Sequence, residues 1–383
     1  MIDDVTNGPA PVHPGAVLKA ELDKRGWNQS DLTFVLGCNP KAVNQIINAK
    51  QGISPAMSKA LGDALNLPAD FFADLQQAHD LANADDPDPS VSMRARLRQN
   101  YPIREMIKRG WLKDGDADSL ARQLAGYFEV QNPHEVRYLA HAAKKTVYTE
   151  REIPGPQLAW LFRVRQIAKS VASAPYSESK LRAAVDTMRD LRIAPEEARR
   201  VPRLLAEAGV RLVIVETLPG SGIDGVCLWL DNRSPIIGLS MRFDRLDNFW
   251  FVLRHEIEHV LKGHGRSTRE AMIDADLHGD QAGTGNSIPD EERIANSAAS
   301  DFCVAAEKME SFFLRKHPFF YEKDILAFAK IQGIHPALPI GQIQRRLGRY
   351  DYLKKHQVRV REFVLPGAIV DGWGQAMPLE RVG

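Results

Sequence analysis

The spacing of apolar positions changes along the chain, and each regime predicts a different kind of structure. From about Val12 to His79 apolar residues recur every three or four positions in short segments. These are Ala16 to Arg25, Gln29 to Leu36, Pro40 to Asn48, Pro55 to Leu65 and Ala69 to Leu81, interrupted by Gly26, Gly37 and Gly52. This predicts a compact bundle of short amphipathic helices. The acidic, proline-broken stretch Asp85-Asp86-Pro87-Asp88-Pro89-Ser90 has the composition of a linker. Helical periodicity resumes from Met93 to about Arg203, rich in Arg, Lys and Ala and without a chemical motif, which predicts a helical spacer or docking module. After Gly209 come β-branched runs of strand length, Val210 to Val215, Gly225 to Leu230 and Pro235 to Leu239. They predict a small sheet of about three strands. A helix is expected from Asp247 through Val260, and helical signals return from Glu291 to about Arg315.

The helix near Asp247 carries chemistry. In Phe249-Trp250-Phe251-Val252-Leu253-Arg254-His255-Glu256-Ile257-Glu258-His259-Val260-Leu261, His255 and His259 stand four residues apart. On a helix both imidazoles project from one face and reach one Zn2+, with Glu256 beside them toward the open coordination position. The apolar neighbours predict that this helix is buried, where a carboxylate and two imidazoles need a compensating partner. A metal there activates water and polarises a scissile carbonyl, with Glu256 as general base that later passes the proton to the leaving amine. A third ligand is expected from Glu291-Glu292-Arg293-Ile294-Ala295-Asn296. Glu292 is preferred over Glu291, Asp290 and Asp301, and Asn296, one turn on, is placed to hydrogen-bond the far nitrogen of a ligating histidine. His264 reads as a helix-end residue on the dipole and His278 as a loop residue. The donor for a tetrahedral oxyanion stays open among Tyr321, His264, His278 and Arg254.

HEIEH, preceded by NFWFVLR and followed by EERIANSAASDF, resembles the ImmA/IrrE family of metallopeptidases over roughly Arg203 to Tyr352. The resemblance implies a gluzincin-like α+β domain with a small sheet, a zinc site of His255, His259 and Glu292, and cleavage of a partner repressor that carries a helix-turn-helix domain. Two features depart from the family pattern. A Gly- and Asp-rich segment, Ala275 to Pro289, fills the space between the motif helices, and the second helix ends Phe302-Cys303-Val304 in place of Leu-Leu-Pro or Leu-Ile-Pro.

A second chemical pattern lies in the first bundle. His13-Pro14-Gly15, Gln29-Ser30-Asp31-Leu32, Leu36-Gly37, Ala42 to Lys50 and Gly52-Ile53-Ser54-Pro55 resemble the XRE-type helix-turn-helix domain, more closely that of HigA-type antitoxins, over about Val12 to Leu81. Gly37 permits the tight turn, and Leu32, Leu36, Val43, Ile46 and Ile47 are expected to fix the second helix at the angle that enters a major groove. Asn39, Lys41, Asn44 and Gln45 lie on its outside, where amides pair bidentately with adenine, and Gln29 and Lys50 flank it as phosphate contacts. A double-stranded DNA operator is the implied partner, with a toxin protein as a further one.

Charge qualifies this picture. Fifty basic against forty-nine acidic residues give a net charge of +1, which excludes a globally cationic nucleic-acid coat. Within Met1 to Ser90 acids outnumber bases two to one, which weakens phosphate affinity. A homodimer, and the basic stretch Arg94, Arg96, Arg98, Arg104, Lys108 and Arg109, are expected to compensate. A second basic run, Arg345, Arg346, Arg349, Lys354, Lys355, Arg359 and Arg361, reads either as a solvated face or as a nucleic-acid sensing surface. Cys38, Cys227 and Cys303 show no CxxC spacing, so no disulfide framework is expected. No apolar run reaches the roughly 18 residues of a membrane span, and a cytoplasmic location with no membrane partner is expected.

The expected fold class is multidomain and mainly α with a small sheet. Residues 1–84 form the helix-turn-helix domain, 85–202 the linker and spacer, 203–352 the metallopeptidase domain and 353–383 a tail. The expected function is a DNA-binding transcriptional regulator with a zinc metalloendopeptidase domain that cleaves a repressor-like protein or itself. The alternative is a HigA-like antitoxin and autorepressor whose second domain binds a toxin or senses a ligand without turnover.

Overall fold

The computed structural model describes residues 12–130, 154–266 and 290–372, and the backbone alone of 272–275. The chain divides into two compact units, Met1–Asp88 and Pro89–Gly383.

The first unit is helical: α1 (Pro14–Arg25), α2 (Gln29–Leu36), α3 (Pro40–Ile47), α4 (Pro55–Leu65) and α5 (Phe71–Asn83). Local chemistry sets the breaks. Asn28 and Asp31 form a capping box at the start of α2, and the side chains of Asn39 and Ser54 cap α3 and α4. Gly37 ends α2 in the left-handed conformation (φ 59°), which glycine adopts without steric cost. Leu18, Leu22, Leu32, Val43, Ile46, Leu61, Leu65 and Phe72 make the core. Gly15 lets α1 pass close to α3, since a Cβ there would lie 1.9 Å from the Ile46 carbonyl oxygen. His13 caps α1, its Nδ1 accepting from the Gly15 N–H at 3.0 Å, while its ring meets the edge of His79.

The second unit is built around a mixed five-stranded sheet of order β4-β2-β3-β1-β5. Its strands are β1 (Arg211–Val215), β2 (Ile223–Trp229), β3 (Pro235–Leu239), β4 (Met272–Ala275) and β5 (Ile369–Asp371). β1 runs parallel to β3 and β5, whereas β2 is antiparallel to β3 and β4. Both faces are buried, so the central strands read as continuous apolar runs instead of alternating ones. Leu212, Ile214, Ile237 and Leu239 pack with the apolar side of α12 (Leu246–Lys262). Val213, Val215 and Ile236 face the opposite layer, in which α9 (Gly155–Ser170) supplies Trp160 and Val164.

Five expectations change here. The unit boundary falls after Asp88. Residues 89–130 and 154–202, predicted as spacer, belong to the second unit: Tyr101, Met106, Leu124, Phe128 and Trp160 share a core with strand residues on one face of the sheet, while Leu181, Val185, Met188 and Leu191 pack on the other face with Leu212 and Ile237. Arg109 donates to the carbonyls of Glu216 and Thr217 at 2.6 and 2.9 Å. The predicted tail contributes β5, whose Asp371 accepts from the Trp111 Nε1–H at 2.9 Å and pairs with Arg163. The sheet therefore has two strands more than expected. Both lie at its edges, where three or four residues suffice and leave little periodic signal. The helical run predicted from Glu291 to Arg315 is two helices, α13 (Asp290–Cys303) and α14 (Ala306–Lys316), with Asp301 accepting from the Ala306 N–H at the break.

Two outcomes follow. Asp371→Ala strands Arg163 and the Trp111 N–H at a buried junction, so unfolding in urea should show a loss of about 3 kcal/mol; an unchanged midpoint would contradict a structural role for the layer that carries Trp111 and Arg163. His13 has its pKa lowered first by burial and then by His79, so its cap stabilises the first unit above about pH 6.5 and is lost as pH falls below that. Amide exchange across α1 should accelerate on acidification, and His13→Ser, a cap that does not titrate, should remove that acceleration.

Candidate metal centre and nucleic-acid interface

α12 is buried on nearly every side, and its packing against the sheet carries His255, Glu256 and His259 into the interior with no exposed surface. Its start is pinned by Arg245, which donates to Asp247 at 3.0 and 2.7 Å and to Gln344 at 2.8 Å. Its end is turned by Gly263 in the left-handed conformation (φ 69°). α13 packs beside it and brings Glu292 to the histidine pair. His255 Nε2 lies 2.9 Å from His259 Nε2 and 3.2 Å from Glu292 Oε2, and His259 Nε2 lies 3.5 Å from Glu292 Oε1. The ligand atoms of a tetrahedral zinc site, each about 2.1 Å from the ion, stand about 3.4 Å apart. The three separations bracket that value, so His255, His259 and Glu292 could hold a divalent ion, and two imidazole nitrogens with one carboxylate are a donor set that suits zinc.

Glu256 lies against β2 because Gly225 makes room for it: a Cβ on Gly225 would fall 2.2 Å from Glu256 Oε1 and 2.8 Å from Val252 Cγ1. The motif spacing does not reveal this glycine, which belongs to a strand whose only visible signal is hydrophobicity.

The far nitrogen of His259 does not meet Asn296. It lies 2.7 Å from Nδ1 of His264, and the Asn296 Oδ1 is buried with no hydrogen-bond partner among the described residues. The Gly263 turn folds His264 back so that its N–H donates to the His259 carbonyl, and its own carbonyl accepts from Trp229 Nε1–H at 2.9 Å. Burial lowers the His264 pKa, with Glu291 opposing; the Glu291 carboxylate stands 3.9 Å away. A neutral His264 with a bare Nδ1 can accept a hydrogen bond from the His259 Nδ1–H, the tautomer that leaves His259 Nε2 as a lone-pair donor. A histidine directly after a helix-ending glycine was the available signal. Of the other oxyanion candidates, Arg254 donates to Glu258 at 2.7 Å, Tyr321 is exposed, and His278 lies outside the described residues, as does most of the Gly- and Asp-rich segment. At the departure Phe302-Cys303-Val304, Arg192 donates to the Phe302 and Cys303 carbonyls, which satisfies the helix end that a proline would otherwise terminate.

In the first unit α2 and α3 adopt the helix-turn-helix arrangement. Gln29, Asn39, Lys41, Asn44 and Lys50 are exposed and Gln45 is half-buried. Asn44 Nδ2 donates to Gln29 Oε1 at 3.1 Å, and Asn44 Oδ1 accepts from Asn48 at 3.2 Å, so Asn44 must exchange partners to offer both amide groups to a base edge. Asn39 uses its oxygen as the cap of α3, accepting from Lys41 N–H at 2.9 Å.

The C-terminal basic run is largely engaged. Arg345 lies over the Phe251 ring, Arg346 pairs with Glu310, Arg349 with Asp351, and Lys355 and His356 with Glu322. Arg346, Arg349, Lys354, Lys355 and Arg359 are exposed, so the run is a solvated face laced with surface ion pairs.

No family model matches the chain. Virulence-associated protein A' of Dichelobacter nodosus is 37% identical over 73 residues, which are 19% of this chain and 64% of that protein; the chain thus spans less than two thirds of that relative's length. A solved structure described as a candidate antidote protein of a plasmid maintenance system, from Nostoc punctiforme, is similar at 25% identity over 23% of this chain and 89% of its own, with a TM-score of 0.18. Each match leaves more than three quarters of the chain without a counterpart. Among the described residues no helix is long and apolar enough to cross a membrane.

The contact between β2 and Glu256 is open to measurement. Gly225→Ala should cost about 2 kcal/mol of stability in the wild-type chain and less than half of that in a Glu256→Ala background, where the carboxylate is gone. Equal costs in the two backgrounds would contradict it.

Proposed function

We propose that the chain is a DNA-binding transcriptional regulator whose second unit is a zinc-dependent endopeptidase acting on a repressor-like protein or on the chain itself. One observation carries this reading: His255, His259 and Glu292 converge at ligand spacing beside Glu256, a carboxylate buried on the same helix. Zinc at the three ligands would supply a Lewis acid that acidifies water and polarises a peptide carbonyl. Glu256 would hold the proton at a carboxylate oxygen and return it to the leaving amine. His264 would keep His259 in the ligating tautomer, and the apolar walls of α12 and the sheet would exclude bulk water from the ligands. The first unit would read an operator through Asn39, Lys41, Asn44 and Gln45 of the α3 end, with Gln29 and Lys50 toward phosphates. A dimer would offset its acidic balance by doubling the contacts.

A second reading makes the chain a HigA-like antitoxin and autorepressor whose second unit binds a toxin or a ligand. The sequence resemblance of the first unit favours it; Glu256 speaks against it, because a surface that only binds has no need of a base. Mass spectrometry of candidate repressors incubated with wild-type and Glu256→Gln protein separates the two. Cleavage by the wild type that falls at least 100-fold in Glu256→Gln, with zinc content and DNA binding retained, supports the peptidase. Unchanged cleavage removes it, and stable capture of a toxin without any cleavage transfers the assignment to the second reading.

A further inference from the structure

The second unit holds a cavity of about 620 Å³ far in sequence from the histidine cluster, lined by Arg94, Leu97 and Arg98 of α6 (Pro89–Asn100), Ile103, Arg104 and Ile107 of α7 (Ile103–Lys108), and Leu120. Its volume lies in the range of small-molecule sites. Its lining is amphipathic. Leu97, Ile103 and Ile107 form part of the core beneath, while Arg94, Arg98 and Arg104 are exposed and have no ion pair among the described residues. Arg94 and Arg98 stand four apart on one helical face, where like charges repel, and Asp114 is the single acid in the lining. A bound anion relieves that repulsion, and guanidinium forks suit carboxylate and phosphate oxygens. A DNA backbone would engage the arginines and leave the leucine and isoleucine floor uncovered.

We infer that this cavity binds an amphipathic anion: a carboxylate or phosphate carried on an apolar body, with the head group at the arginines and the body on Leu97, Ile103 and Ile107. The site is independent of the histidine cluster and of any peptidase activity.

Decanoate, titrated calorimetrically into the full chain below its micelle threshold, tests it, with decanol as the uncharged twin. Saturable one-to-one binding is expected, weakened at least tenfold in Arg94→Gln/Arg98→Gln and in Arg104→Gln. Decanol should bind at least tenfold more weakly than decanoate, and Arg199→Gln, an exposed arginine elsewhere, should change nothing. Because the substituted arginines are exposed, circular dichroism should be unaltered, and two separate variants guard against loss of folding in either. Absence of saturable binding, equal affinity for decanol, or full affinity in both arginine variants would overturn the inference. Uptake of a Glu- and Leu-rich peptide by a chain that ignores decanoate would likewise overturn it and assign the surface to a protein.

Discussion

Everything in the second unit depends on burying one helix against one sheet. Phe249, Trp250, Val252, Leu253, Ile257 and Val260 of Leu246–Lys262 pack with Leu212, Ile214, Ile237 and Leu239, and this apolar association takes His255, Glu256 and His259 out of water with them. Burying two imidazoles and a carboxylate is costly unless each finds a partner. Glu292 comes to the histidine pair from the next helix, His264 comes to His259 from the Gly263 turn, and Gly225 leaves a space for Glu256 on the strand beneath. The hydrophobic force places these groups, and the polar contacts decide how they are oriented.

The layer behind the sheet gives that arrangement its rigidity. Trp160 and Val164 fill the space over Gly238, where a Cβ would come within 2.8 Å of Val164. The Trp111, Arg163 and Asp371 junction ties an early helix to the last strand. A sheet with one bare face would leave its central apolar strands exposed, so the helices within residues 89–130 and 154–170 are part of what holds the histidine helix in place.

The features visible in the sequence were those with local periodicity or fixed spacing. The five short helices of the first unit, the three inner strands and the i, i+4 histidines all follow from patterns within about twenty residues, and Glu292 is legible from the run Glu291 to Asn296 on its own helix. The features that sequence reasoning missed depend on long-range pairing. β5 has three residues and takes its identity from β1, the helices before Arg203 show their apolar stripe without naming the sheet they cover, and the His264 contact requires knowing that Gly263 reverses the chain. Asn296 is legible as a candidate partner of a ligating histidine because helical spacing within one element is easy to read, whereas the contact of His264 with His259 crosses a turn between elements and is not. Charge was similarly ambiguous: Arg345, Arg346 and Arg349 look like a basic surface in sequence, and become a ring contact and ion pairs once Phe251, Glu310 and Asp351 are brought beside them.

The central claim is that His255, His259 and Glu292 act together on one ion. Zinc stoichiometry by elemental mass spectrometry, on the purified wild type, Glu292→Ala and Asn296→Ala, tests it most directly. The account predicts one zinc per wild-type chain, affinity at least tenfold weaker in Glu292→Ala, and full retention in Asn296→Ala. A wild-type chain that takes up no zinc, or a Glu292→Ala chain that holds it as tightly as the wild type, would contradict it.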